Sequence, residues 1–365
     1  MTYDYLIAGA GLAGSVLAER LANGLGRSVL LVERRTHIAG NAYDCPNEDG
    51  IMVQEYGPHI FHTIKKDVWD YLSQFTEWNG YVHRVLARVR GKAVPLPISL
   101  ETMERLFERP FTAEQLAEYF EQHRVRLESI ENARDVVVSQ VGEELYELFF
   151  KNYTKKQWGL YPEELAAEVT KRLPVRLDRD TRYFADPYQG LPRDGFTSMV
   201  DRMLESPGIT LRLGTDYRDV ADTEEFDQLI YTGPIDEFFD YRLGQLPYRS
   251  LRFQLETLEA ERFQEAGVVN YPNEEDYTRI TEFKHLYCQD HPKTTVCYEY
   301  SAGDGPPYYP IPTQANRELY ARYKALADEL DGVHFLGRLA QYQYLNMDQV
   351  VANALDLFGR MRTDA

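Results

Sequence analysis

The sequence predicts an α/β chain in which a parallel-sheet domain, assembled from separated segments, is interrupted by a helical domain and an antiparallel-sheet domain. Three observations predict it. A strand, a glycine-rich turn and a helix open the chain. Strand and helix segments return near its end. The material between is first helix-rich and then strand-rich, with no repeat, linker or charge block dividing it cleanly.

The elements follow in order. Residues 4–8 are a short apolar run that reads as a buried strand. Gly9-Ala10-Gly11-Leu12-Ala13-Gly14 comes next, and Val16, Leu17 and Leu21 then recur at helical spacing. Gly24 and Gly26 close that helix, residues 28–32 form a second buried strand, and Glu33 ends it. From about 68 to 156 the chain is helix-rich: Thr112 and Gln115 make a capping box, and 143–151 carries apolar helical spacing. Residues 209–213 and 229–232 read as strands, and the runs 249–258, 278–284 and 294–300 as an antiparallel sheet. A helix over 318–330, a strand over 333–336 and a helix over 347–360 complete the chain. The expected division places 1–67, about 192–235 and 332–365 in the parallel-sheet domain and about 68–165 in the helical domain. Residues of about 166–191 and 236–331 fall in the sheet domain, with a mobile lid near 166–177.

Composition narrows the function. Lys and Arg total 40 against 58 Asp and Glu, a net charge of -18, which argues against a broad basic surface for nucleic acid. A phosphorylated small molecule would need locally placed arginines. Three scattered cysteines supply neither a disulfide framework nor a zinc cluster. No stretch approaches the roughly 20 apolar residues of a membrane span, and the chain opens on a strand pattern, so a soluble cytoplasmic protein is expected. The 27 tyrosines invite attention because an apolar ring with a polar tip suits a surface that stacks a base and touches phosphate or sugar. Most tyrosines are ordinary packing, so only those within motifs count.

The glycine loop lies between a strand and a helix, as phosphate binding requires. Gly9 makes the tight turn, Gly11 admits a pyrophosphate, and Gly14 lets helix and strand pack closely. The helix N-terminus adds N–H donors and a favourable dipole. Glu33, roughly 20 residues on, stands where a carboxylate accepts ribose hydroxyls. After it, Arg34-Arg35 and Gly40-Asn41-Ala42 resemble the two-domain FAD proteins more than NAD dehydrogenases, which makes the expected fold an FAD-binding Rossmann-like domain with two insertions. Near the end Gly337-Arg338 closes a strand, and Asn346 and Gln349 cap the last helix, whose N-terminus suits an anionic reduced flavin.

Between these ends Gly40-Asn41-Ala42-Tyr43, Tyr56-Gly57-Pro58-His59-Ile60-Phe61-His62-Thr63 and the 153–159 segment resemble the UDP-galactopyranose mutase family. So do the segments 171–176, 188–192, 231–236 and 337–339, and the resemblance runs from Tyr3 to about Ala354. It implies an isomerase interconverting UDP-galactopyranose and UDP-galactofuranose on reduced FAD, with flavin N5 attacking the anomeric carbon and no net redox change. It assigns the departing diphosphate to Arg172 and Arg279, and places Arg172 in the lid. Neither arginine is assigned to FAD, so alanine at either is expected to leave folding intact. The resemblance sets His62 beside the reactive flavin and His59 and Ile60 against FAD. Ala13, Arg34, Asn41, Arg338, Met347 and Asp348 join the cofactor residues. Tyr153 would stack on uracil with Asn270 opposite, beside Phe149, Phe150, Thr154 and Trp158. Tyr183, Tyr309 and Tyr344 would reach the diphosphate. Without the resemblance, Phe149 and Phe150 read as helix core.

His59 and His62 have the spacing of a metal pair, but no third ligand clusters nearby, so no metal is expected. Two positions depart from the family pattern: Asn346 stands where Asp is frequent, and His83 where an Asn contacts the sugar nucleotide. Two other readings stay open on the same scaffold. One is an FAD-dependent oxidoreductase, which would oxidise its substrate stoichiometrically. The other is a flavin-free protein of the GDP-dissociation-inhibitor kind. Relatives of the family form dimers, so a homodimer is expected.

Overall fold

Strands buried on both faces need helices on both sides, and the two opening strands show this in the computed structural model, which describes residues 2–170 and 175–364. They sit inside a five-stranded parallel sheet ordered Val333–Phe335, Glu225–Tyr231, Thr2–Ala8, Val29–Glu33, Ile209–Leu213. Ile7 and Leu31 pack with Val16 and Leu17 of the helix Leu12–Glu19, with Met199 and Val200, and with Val351 and Leu357 of the last helix. Leu6, Leu30 and Val32 join Val220, Leu229 and Tyr231 in a second cluster. The Rossmann-like α/β fold is therefore present, and its sheet strings together segments from both ends and the middle of the chain.

A seven-stranded sheet runs in the order Tyr309–Pro310, Tyr248–Leu258, Thr294–Ala302, Arg279–Glu282, Val268–Asn270, Val85–Val89, Lys92–Leu96. Its pairs are antiparallel except Val268–Asn270 with Val85–Val89, so the expected antiparallel sheet is mixed. The hairpin 85–96 comes from the stretch read as helix-rich. Its turn, Arg90-Gly91, has φ of 51° and 74°, the left-handed pair that two-residue hairpins use. A short alternation of this kind is diluted in any window long enough to register the surrounding helices.

The helices follow their caps. Ala113–His123 starts at Thr112, whose hydroxyl accepts from Gln115 N (3.2 Å) while Gln115 Oε1 accepts from Thr112 N (2.9 Å). Ala133–Tyr146 breaks at Gly142, where φ is +83° and a Cβ would lie 2.4 Å from the His123 carbonyl oxygen. Gln314–Ala327 begins four residues before the expected 318 because Thr313 caps it. The last helix, Met347–Asp364, starts where expected, but only half of the foreseen cap is made: Gln349 Oε1 accepts from Asn346 N at 2.9 Å. Among the described residues no helix is long and apolar enough to cross a membrane, and no group of three His, Cys, Asp or Glu could hold a metal ion.

Candidate active site

Ligands of open α/β sheets sit beyond the carboxyl ends of the strands, and a cavity of about 270 Å³ lies there. Gly9, Gly11, Ala13, Glu33, Arg34, Asn41, His59, Arg338 and Met347 all line it. Gly9 has φ of +108°, and a Cβ on it would lie 2.1 Å from Thr232 Oγ1. Gly14 sits behind the loop rather than in the lining, and a Cβ there would meet the Gly9 carbonyl oxygen at 2.0 Å. The helix Leu12–Glu19 has no side-chain cap, so its first N–H groups remain available to an anion. Glu33 already accepts from Ala10 N (3.0 Å) and Arg35 N (2.9 Å), which fixes its carboxylate at the strand end with one lone pair per oxygen to spare. Arg34 pairs with Glu237 at 2.5 Å and with Asp216 at 3.8 Å. Asn41 Oδ1 accepts from Arg35 at 3.0 Å.

Three expected cofactor residues, Gly14, Ile60 and Asp348, lie off this lining. Ile60 is buried in the core, and Asp348 Oδ2 accepts from Thr63 Oγ1 at 3.0 Å. His59 presents its Nδ1–H to the Gly57 carbonyl at 2.9 Å, which leaves Nε2 as an acceptor. Burial holds its pKa down to about 4, so the ring is neutral at physiological pH.

Arg338 joins this cavity to a second group of residues. Its guanidinium donates to the Leu345 carbonyl at 2.6 Å and lies 5.3 Å from the Tyr309 ring centroid and 5.2 Å from that of Tyr344. Those two rings stack at 5.2 Å and 16°, with Trp158 at 6.3 and 6.2 Å. Arg279 is held by Glu299, which is only 3% exposed, through bonds of 2.9 and 2.7 Å to Oε2. Glu299 keeps the Arg279 charge in place, and Arg279 makes a buried carboxylate tolerable. Burial pushes the Tyr153 phenol up, and Arg279, Glu299, Tyr183 and Tyr309 are the groups that act on it. Asn270 pairs in register with Arg279 on the neighbouring strand.

Phe149 and Phe150 both belong to the core that joins the helices to the hairpin, with Tyr183 packed against that core. Their burial is the packing their spacing allows, and Thr154, one turn on from Phe150, is buried as well. His62 Nδ1 lies 2.5 Å from Asp186 Oδ2, and its ring stacks on Phe184 at 3.6 Å and 11°. His83, 4% exposed, is bonded through Nδ1 to Tyr81 Oη at 3.1 Å, and burial reinforced by Arg279 and His62 holds its pKa down to about 3. Arg172 lies outside the described residues. Glu299, Asp186 and Phe184 escaped the sequence reading, because nothing local marks a residue whose partner is 20 or 124 positions away.

This geometry defines a protein of the Rossmann class whose cavity at the strand ends is flanked by a second, arginine- and tyrosine-rich group of side chains. The comparisons sharpen the class. A profile described as an NAD(P)-binding Rossmann-like domain matches residues 7–75, and the UDP-galactopyranose mutase profile matches 148–344. A "Probable UDP-galactopyranose mutase" of Klebsiella pneumoniae is 39% identical over 363 residues, covering 96% of this chain and 93% of its own. A dTDP-fucopyranose mutase of Escherichia coli is 34% identical, covering 96% of each. The crystal structure of a reduced UDP-galactopyranose mutase superposes with a TM-score of 0.81 at 17% identity, over 100% of this chain and 96% of that one. The chain belongs to the UDP-galactopyranose mutase family and is an isomerase by that membership.

Proposed function

We propose that this protein interconverts UDP-galactopyranose and UDP-galactofuranose on FAD, which is active when reduced, with no net oxidation of the sugar. The observation that carries the reading is Arg338, whose guanidinium lines the dinucleotide cavity and packs over Tyr309 and Tyr344 of the neighbouring pocket. The glycine cradle, the uncapped helix end and Glu33 fit an adenine dinucleotide. In this reading Gly9, Gly11 and Ala13 face the pyrophosphate, with Gly14 shaping the loop from behind. Glu33 takes the ribose, and Arg34, Asn41, His59, Ile60, Arg338, Met347 and Asp348 complete the cofactor residues. Bound and reduced, FAD supplies a nucleophilic N5 for the anomeric carbon.

The chain's own groups do the rest. Arg279 and Arg172 hold the diphosphate, balancing the charge it gains on leaving and keeping it for re-attack. Tyr153 and Asn270 bracket the base, with Phe149, Phe150, Thr154 and Trp158 shaping that pocket. Tyr183, Tyr309 and Tyr344 reach the diphosphate. His83, neutral, offers a hydrogen bond to the sugar. His62 holds at Nε2 the proton that the opening ring oxygen gains and the closing hydroxyl gives up. We assign the domain division given above, a homodimer and a cytoplasmic place to the same reading; the lid expected near 166–177 includes residues 171–174, which lie outside the described residues.

The test is product analysis with flavin kept reduced. UDP-galactofuranose should convert to UDP-galactopyranose, and a dTDP-linked 6-deoxyhexofuranose should turn over more slowly. Turnover of the dTDP sugar alone would transfer the protein to the specificity named for its Escherichia coli relative.

A further inference from the structure

We propose that Asp186 is a positioning residue for His62, holding its Nδ1–H so that Nε2 is the atom free to exchange a proton in the site. The inference rests on the proposed isomerisation. Asp186 Oδ2 and His62 Nδ1 are 2.5 Å apart across 124 positions of sequence, so the carboxylate lies within hydrogen-bond reach of the ring N–H. Both side chains are mostly shielded, at 15% and 26% exposure, so the pair is not a solvated surface contact.

Three constraints converge on one imidazole. Pairing of Phe61–Thr63 with Tyr188–Gly190 sets His62 opposite Gln189 and brings the 184–187 segment alongside. Phe184 clamps the plane of the ring, 3.6 Å away and 11° from parallel. Asp186 then fixes the remaining freedom, rotation of the ring within that plane. The next residue, Thr63, is tied through its hydroxyl to Asp348 on the first turn of the last helix, so the backbone beneath the ring is anchored as well. Gln189 donates to the Asp186 carbonyl at 3.2 Å and accepts from His83 N at 3.4 Å, which joins Asp186, His62 and His83 in one assembly. Among the described residues His62 Nε2 has no hydrogen-bond partner.

Ring contraction gives this arrangement a use. Opening the pyranose breaks the bond from the anomeric carbon to the ring oxygen, which gains a proton. Closing the furanose forms the bond from that carbon to a different hydroxyl, which loses one. A single group can serve both transfers, charged before the first, neutral between them and charged again after the second. It must keep one nitrogen bonded throughout and one free. A carboxylate on Nδ1 does this by accepting the same N–H in both states.

The experiment uses the FAD-loaded enzyme and compares wild type, Asp186→Asn and Asp186→Glu. Two-bond proton–nitrogen correlation on nitrogen-15 histidine, with His62→Gln to assign the signal, reads which ring nitrogen carries the proton. In wild type His62 should keep its Nδ1–H in both the charged and the neutral ring. In Asp186→Asn that pattern should be lost and kcat should fall on the order of 10²-fold, with flavin content and KM within about twofold of wild type. Asp186→Glu should regain part of both. An unchanged His62 signal in Asp186→Asn would overturn the proposal, and so would a changed signal with kcat within about twofold. If wild type turned over neither sugar nucleotide the proposed function would fail, and the His62 signal alone would then decide the Asp186 assignment.

Discussion

The dinucleotide cavity and the pocket beside it are built by different means. The cavity is a product of backbone: a strand end, a turn whose first glycine sits at φ of +108°, and a helix start with no side-chain cap. Its shape depends on what is missing, since a Cβ at Gly9 would collide with Thr232 and one at Gly14 with the loop's own carbonyl. The pocket is a product of side chains brought from distant segments, and its arginine is held by a carboxylate on a neighbouring strand. Backbone-built sites are short in sequence and announce themselves. Sites built from side chains depend on packing at long range. The first should fail abruptly when a methyl group is added, and the second should fail in proportion to the charge or ring removed.

The sharpest break in the cavity is Gly14→Val. Its Cβ would lie 2.0 Å from the Gly9 carbonyl oxygen, so the loop must move, and purified protein should carry no FAD by its visible absorbance. Normal flavin content would mean that the loop does not bind the cofactor.

In the pocket the largest effect belongs to Arg279→Ala. Turnover should fall by orders of magnitude, a missing donor at such a site costing about 3–4 kcal/mol. The structure also revises the expectation that folding stays intact, because Glu299 would be left buried without its partner. Denaturant unfolding should show a loss of about 3–5 kcal/mol, much of it restored by Arg279→Lys. Unchanged stability would mean that Glu299 finds another partner or takes up a proton at little cost.

Tyr153→Ala should weaken UDP binding by about 1–3 kcal/mol by calorimetry if its ring stacks on the base. An unchanged affinity would return Tyr153 to packing.

The two buried histidines give a smaller effect with a definite sign. Unfolded histidines take up protons below pH 6.5, while burial delays this to about 4 for His59 and about 3 for His83. Between pH 6.5 and about 4 the unfolded state binds more protons, so stability falls as pH falls, by about 1.4 kcal/mol per pH unit for each histidine. Urea unfolding of His83→Gln should show a shallower slope than wild type across that window. An identical slope would mean that His83 is protonated in the folded state.

What could be read from the sequence follows the same division. The strands Thr2–Ala8 and Val29–Glu33, the Thr112 cap and the cavity residues from Gly9 to Glu33 are local patterns, each decided by a few neighbouring residues. The hairpin 85–96 was lost because its alternation is short and surrounded by helix. Thr313 was passed over as a cap, which delayed the next helix. Glu299 and Asp186 gave no local signal at all. Arg279 and His62 came only through family resemblance, and the carboxylates that hold them became visible only when the sheets were assembled. Burial of a charge is a property of the fold, not of the residues beside it.

One measurement tests the central claim that cavity and pocket act together to isomerise without net redox. UDP-galactofuranose is supplied in large excess over enzyme whose flavin has been reduced once under anaerobic conditions, and product is counted against reducing equivalents consumed. The account predicts many turnovers with the flavin still reduced at the end, and no turnover when it is left oxidised. One reducing equivalent consumed, or one flavin reoxidised, for each sugar converted would contradict it and make the protein an oxidoreductase on this fold.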